Sequence, residues 1–424
     1  SQSADMGVLP TAIGLSIAEQ QTEAMLVPAD QHPLVADLVE RLNVLQGTSA
    51  DDVEAYRMLA IEAVEQQVLP GYETLLDAIK STPTRSDATP GATELPDGED
   101  YYATALAHHL STAMTPAEVH DIGLENVDRI VEEMTTVLTS LGYDVASRGF
   151  AWAVGESAND AGYEQLTSDT VRNEILRRTE AEIEEAYGAV ASLFLTFPQS
   201  PVEVVRPRPS REGAAGAYYR PPPAVGTRSG LYYLALGGEW LQLQTYATTN
   251  YHEAIPGHHL QIALQRESAE LPLLQRATTF GGYAEGWGLY AERLAYEAGL
   301  YADDPHGNVG RLRMELLRAS RAVVDTGIHA LGWTRDEAIA YMSDLGFSRG
   351  WAEQEVDRYI VWPGQAPSYL IGMLEILRLR DLAQETLGPR YDIAEFHNEI
   401  LRHGSVPVGV LDEVVANYIS THQG

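Results

Sequence analysis

Asn250-Tyr251-His252-Glu253-Ala254-Ile255-Pro256-Gly257-His258-His259-Leu260-Gln261 is the stretch on which the reading turns. It begins in the pattern His-Glu-x-x-His, in which two imidazoles one helical turn apart hold zinc and the glutamate activates water. Position +4 is Pro256 instead, and the next histidines fall at +6 and +7. On an unbroken helix the +7 residue lies about 20° from His252, while +6 lies far round the cylinder. Pro256 lacks an N–H and crowds the preceding turn, so an unbroken helix is the wrong template. A two-residue bulge at Pro256-Gly257 would restore the one-turn relation between His252 and His258. Geometry alone leaves His258 and His259 both in contention as the second ligand.

A zinc site needs a third protein ligand, and Gly282-Tyr283-Ala284-Glu285-Gly286-Trp287-Gly288-Leu289-Tyr290-Ala291-Glu292 supplies one. Glu285 sits among Tyr283, Trp287 and Leu289, a setting in which an unpaired carboxylate is costly. Glu292 is two turns on along the same face. It can support a ligand from behind, or pair with Arg293 on the outer face.

Working outward, the 424 residues carry 61 Asp and Glu against 28 Lys and Arg, a formal net charge of -33. That field repels phosphate backbones and anionic lipid surfaces, which argues against nucleic-acid binding. The absence of cysteine excludes disulfides, thiolate metal sites and cysteine nucleophiles. Lys80 is the only lysine and has no glycine beside it, which removes a P-loop, and a Schiff-base enzyme, which would have to use the same residue, falls away with it. No apolar run reaches the ~18–20 residues of a membrane helix. The chain begins at Ser1 rather than Met, so an exported protein that has lost a signal and a cytoplasmic one both stay open.

The pattern along the chain is helical. Apolar residues recur at helical spacing through 51–80, and residues 81–100 read as a long loop rich in Pro, Gly, Thr and Asp. Thr115-Pro116-Ala117-Glu118 starts a helix running to about Leu141, and another covers roughly 169–195. Val202-Glu203-Val204-Val205 and Gly230 to Leu236 read as short strands, separated by the proline-rich Tyr219-Arg220-Pro221-Pro222-Pro223. Helices resume near Thr245, with a further capping box at Thr334-Arg335-Asp336-Glu337. The fold expected is mainly α: a large helical domain with a small β-sheet beside the helix that carries His252. Residues 1–99 form an N-terminal helical region of that same domain, ahead of the body at 100–424.

The two quoted segments together resemble the bacterial DUF885 family, which is grouped with the gluzincin type of His-Glu-x-x-His metallopeptidases. Thr115 to Ile130, Tyr218 to Leu236, Arg358-Tyr359 through Pro363-Gly364-Gln365-Ala366 to Tyr369 and Gly372, and Phe396-His397 through Gly404 to Pro407 resemble it too. The resemblance covers roughly 100–415, and because members carry more chain at the N-terminal end it implies a missing N-terminal piece. It implies His252, His258 and Glu285 on zinc, Glu253 as general base, and His259 and Glu292 as neighbours of the ligands. It also implies that a tyrosine or histidine from a later helix donates to the oxyanion, with Tyr369 as first choice and Tyr359 as second. Tyr232, Tyr233 and Arg358 are the candidate substrate contacts, with the 230–236 strand as an edge that pairs with a peptide backbone. The implied activity is zinc-dependent hydrolysis of oligopeptides.

Two competing readings remain to be weighed. A catalytically silent binding protein could use the same cleft. Gly346-Phe347-Ser348-Arg349-Gly350 matches the serine-hydrolase elbow, but that elbow needs a strand before the serine. Residues 336–345 read as helix, which makes Gly346 a C-cap and Ser348 the N-cap of the next helix. The remaining histidines are expected on helix surfaces (His108, His109, His120) or in local caps and pairs (His397, His403).

Overall fold

The computed structural model describes residues 2–208, 212, 216–223 and 228–423. Helices dominate, with one two-stranded and one three-stranded sheet between residues 163 and 242. The chain divides into two compact units, residues 1–90 with 94–96, and residues 91–93 with 97–424.

In the first unit, helices Ala12–Glu23, Pro33–Val44, Ala50–Ala63 and Leu69–Ser81 surround a small core of Ala29, Val35 and Val64, joined by Val39, Ile61 and Leu69. Ser49 accepts from the Asp52 N–H and Asp52 from the Ser49 N–H, a reciprocal cap that starts the third helix. The stretch expected as one helix widens into a π-helical turn at Val64–Val68, directly before Pro70. A proline in a helix has no N–H for the preceding turn, and the wider turn absorbs that loss.

The second unit is built on the pair Pro116–Ser140 and Pro305–Ala330. Thr115 and Glu118 form the expected capping box, and Val119, Val127, Ile130, Met134 and Leu138 bury one face at helical spacing. Helix Pro305–Ala330 is sheathed nearly all round, which takes Arg311, Glu315, Arg318 and Asp325 out of water along with its leucines and valines. Such burial is tolerated because each charge meets a partner: Arg311 and Arg129 on Glu315, Arg318 on Glu292, Tyr102 on Asp325.

Strand β1 (Tyr163–Gln165) pairs antiparallel with β5 (Trp240–Gln242). The other sheet runs in the order β2 (Val202–Val205), β4 (Gly230–Tyr233), β3 (Tyr218–Arg220), with β4 parallel to β2 and antiparallel to β3. This corrects the sequence reading twice. Tyr218–Arg220, read as part of a proline-rich connector, is itself a strand. Because it takes the second side of β4, that strand is central and offers no free edge to a peptide.

Helix Tyr246–Glu253 follows β5, and His258–Glu267, Gly281–Glu297, Arg335–Asp344, Arg349–Val361, Ser368–Leu387, Ile393–Arg402 and Leu411–Gln423 complete the body. Gly346 has φ +88 and Ser348 stands before Arg349–Val361, so the Gly-x-Ser-x-Gly match lies between two helices. His403 pairs locally with Glu399. His397, expected in a local cap or pair, is instead fully buried between Tyr290 and the Leu193 carbonyl. His120, expected on a helix surface, is half-buried against Thr326. No described helix is long and apolar enough to cross a membrane.

Helices Gly281–Glu297 and Ser368–Leu387 cross where Gly286 meets Gly372, and a Cβ on either would collide with the other's backbone. Backbone cannot swing aside as a side chain does, so the cost of adding one methyl should reach the upper end of the overpacking range. Gly372→Ala is therefore expected to destabilise the folded state by about 3 kcal/mol, read from denaturant unfolding. A change under about 0.5 kcal/mol would refute the crossing.

Candidate metal centre

Helix Tyr246–Glu253 ends at Glu253, and Ala254 leaves helical geometry at φ -110, ψ -98. Four non-helical residues, with a cis Ile255–Pro256 bond, lead to a new helix that opens at His258. The bulge expected within one helix is thus a full break between two. Trp287 holds the break in place by donating its indole N–H to the Pro256 carbonyl at 2.9 Å. Across it the His252 and His258 rings meet edge to face, with centroids 4.6 Å apart.

Glu285 completes the cluster. Its Oε2 lies 3.6 Å from His252 Nε2 and 3.5 Å from His258 Nε2, and the three potential ligand atoms all fall within 4.8 Å of one another. Two imidazoles and a carboxylate, converging and largely withdrawn from water, form the donor set that suits zinc. Gly288 explains why helix Gly281–Glu297 can come so close. A Cβ there would stand 2.6, 2.9 and 3.0 Å from three atoms of the His252 ring. Within Glu285-Gly286-Trp287-Gly288, every residue has an assigned contact.

The electrostatics follow from burial opposed by charge. Burial alone would lower the His252 pKa, but its contacts with Glu285 and Glu292 prevail and hold it up at about 9. Burial would raise the Glu285 carboxyl, yet the two imidazoles bring it well below the usual carboxylate range. In the metal-free chain a proton thus supplies the positive charge this carboxylate demands.

Glu292 stands behind the cluster. His252 donates Nδ1–H to its Oε1 at 2.8 Å, which turns Nε2 toward Glu285, and Arg318 holds the same oxygen at 3.3 Å. Arg293, the alternative partner, pairs with Glu297 instead. Glu253 is 8 % exposed and its Oε2 is buried without a hydrogen-bond partner.

The structure separates the two histidines that spacing left in contention. His259 is fully buried, hydrogen-bonded through Nδ1 to Tyr219, and burial lowers its pKa to about 4. It packs the sheet against the second helix, while His258 faces His252.

Tyr369 is half-buried, and burial, then the nearby Glu285, raise its hydroxyl pKa against the opposing pull of Arg321, Arg318 and Arg358. Tyr359 is fully buried and donates its hydroxyl to Glu355 at 2.6 Å while accepting from Arg321. That hydroxyl is therefore committed to an ion pair. Tyr232, a candidate substrate contact, is also fully buried. It donates to Asn250, which in turn donates to Glu182. Its place is to anchor the histidine helix, so a substrate contact is ruled out for it. Tyr233 stacks on Tyr218 across the sheet at 4.6 Å, half-buried. Arg358 keeps partial exposure beside Glu355 and Gln365.

The sequence reading missed Trp287, Gly288, Arg318 and Arg321 as parts of the site. The signal present was an arginine inside the apolar run Leu316-Leu317-Arg318-Ala319, an expensive placement unless something nearby is acidic.

A family model described as bacterial protein of unknown function (DUF885) matches residues 1–415. The chain belongs to the DUF885 family. The match takes in the N-terminal hundred residues that the sequence resemblance had left out. Over 99% of its length this DUF885 chain is similar to the crystal structure of a candidate lipoprotein from Colwellia psychrerythraea, at 34% identity and a TM-score of 0.93, covering 72% of that protein. It shares its fold with a candidate lipoprotein of unknown function from Shewanella oneidensis, at 20% identity and a TM-score of 0.67, covering 97% of this chain and 74% of that one. No curated protein matches.

Three expectations follow from the geometry and its electrostatics. A metal must displace the His252 proton, so below about pH 9 zinc affinity should fall about tenfold for each unit of acidification, with proton release visible by calorimetry in buffers of different ionisation enthalpy. A pH-independent affinity would mean that this proton is not displaced. In the metal-free chain the raised pKa stabilises the fold fully below about 6.5, and that contribution is lost as pH rises through about 9. Gly288→Ala should cost about 10–100-fold in zinc affinity by pushing on the His252 ring, and unchanged affinity would show that the ring has room to move.

Proposed function

We propose that this DUF885 protein is a zinc-dependent peptidase that hydrolyses amide bonds of oligopeptides. The observation that carries the reading is the convergence of His252, His258 and Glu285 beside a buried, unpartnered Glu253 carboxylate oxygen. Zinc would be held by those three side chains, and when bound it acidifies water to a pKa of about 7 and polarises a carbonyl. Glu253 takes the proton from the attacking water at its carboxylate and delivers it to the leaving amine nitrogen. Tyr369 offers its hydroxyl hydrogen to the oxygen that gains charge as the carbonyl is attacked. Glu292 keeps the imidazole of His252 in the tautomer that presents Nε2, and Arg318 holds Glu292 in place.

The description of the solved relatives as candidate lipoproteins supports an exported location for the whole protein. Recovery of the native protein in the cytosolic fraction of lysed cells would remove that part of the reading.

Elemental mass spectrometry should find one zinc per chain in the wild type and in His259→Ala, and none in His258→Ala. Glu253→Gln should keep its zinc while peptide hydrolysis falls by a factor on the order of 10²–10⁴, the share a general base supplies. Unchanged turnover in that variant sinks the mechanism. Zinc binding without turnover in the wild type, across a peptide library, turns the reading into that of a metal-dependent binding protein.

A further inference from the structure

Three arginines gather beside Tyr369. The guanidinium carbons of Arg318 and Arg321 lie 5.5 and 5.0 Å from its ring centroid, and Arg358 lies over the adjoining Tyr359 at 4.8 Å. Two carboxylates answer them. Glu292 meets Arg318 at 3.3 Å, and Glu355 is shared by Arg321 at 2.8 Å and Arg358 at 3.1 Å. Arg321 and Arg358 thus share a single carboxylate, that of Glu355, in a chain whose net formal charge is -33.

The three guanidiniums differ in how far they are withdrawn from water and in the donors they have spent. Arg321 spends Nε and Nη2 on Glu355 and Tyr359, with its side chain 11% exposed, which leaves Nη1 outside those bonds. Arg318, 6% exposed, has an Nε with no partner. An arginine withdrawn from water without its full complement of acceptors is costly unless a ligand completes it. The placement is also specific. Tyr369 stands one turn before Gly372, which crosses Gly286, the residue after Glu285. Arg318 and Arg321 thus flank a tyrosine one turn from the helix crossing that also carries Glu285.

We infer that Arg321, together with Arg358, forms a carboxylate-binding subsite that takes the C-terminal carboxylate of a short peptide and directs cleavage close to that end. The planar guanidinium fork matches a carboxylate with two parallel hydrogen bonds. With the Arg321 side chain 11% and the Arg358 side chain 31% exposed, the pair admits the end of a chain more readily than its middle, which selects the terminal carboxylate over an acidic side chain. The inference rests on the peptidase reading above and deepens it.

The test compares acetyl-tetra-alanine as free acid and as amide, with an amidated peptide carrying glutamate near its C-terminus as the third substrate. The wild type should favour the free acid in kcat/KM on the order of tenfold or more, the worth of a charged hydrogen-bond pair. Arg358→Gln and Arg321→Met should bring that ratio toward one while zinc content stays at one per chain. A ratio near one in the wild type overturns the subsite even if all three peptides are cleaved. Preference for the glutamate-bearing amide over the free acid overturns the terminal assignment. Calorimetric binding of the same peptides to zinc-loaded Glu253→Gln separates this inference from the hydrolysis reading. Tenfold tighter binding of the acid, lost in Glu253→Gln/Arg358→Gln, upholds the subsite even where the wild type cleaves nothing, and equal binding of acid and amide overturns it.

Discussion

A carboxylate with two imidazole nitrogens 3.5 and 3.6 Å away, all three groups held largely out of water, has to be given a positive charge. A proton can supply it, as the raised His252 pKa shows, and a divalent cation can supply more. Much of the surrounding structure serves to hold that arrangement. Glu292 fixes the His252 tautomer, Arg318 neutralises Glu292, and helix Pro305–Ala330 buries Arg318 in the middle of the second unit. A chain of alternating charges therefore runs from the cluster into the longest buried helix. Each member tolerates burial because the next one answers its charge.

Close approach is the second constraint. The cluster forms only if helix Gly281–Glu297 can touch both the His252 ring and helix Ser368–Leu387, and it does so by omitting side chains at Gly288 and Gly286. Trp287, between those glycines, spends its indole N–H on the Pro256 carbonyl. One helical turn therefore provides a ligand, two contact faces and the tether for the break between the histidines. The tether lets a segment of four non-helical residues sit in the interior without drifting.

Much of this was legible from residue types and spacing. Pro256 announced that the helix could not continue, because a proline has no N–H to give and crowds the turn behind it. The capping boxes at Thr115 and Thr334 marked two helix starts, since their donors and acceptors are local. Glu285, an acidic residue in an apolar run, stood out as a group needing a partner. The sheet was read less well. Tyr218–Arg220 looked like connector because prolines follow it, and only its pairing with β4 makes it a strand. β-structure depends on a partner that local sequence does not name. The same ambiguity left Tyr232 between packing and a substrate contact, and its burial against Asn250 makes it packing.

By itself the sequence determined the chemistry available: histidines, glutamates and tyrosines without a single cysteine, on a mainly helical chain broken at one proline. It also determined DUF885 membership, now matched over residues 1–415. Tertiary structure alone decided that His258 faces His252 while His259 turns to Tyr219. Adjacent residues at a helix start point about 100° apart, and spacing cannot say which of the two meets a ligand carried some thirty residues further along. It also decided that three arginines meet two carboxylates beside Tyr369, because those groups come from helices separated in sequence and only packing adds up their charges.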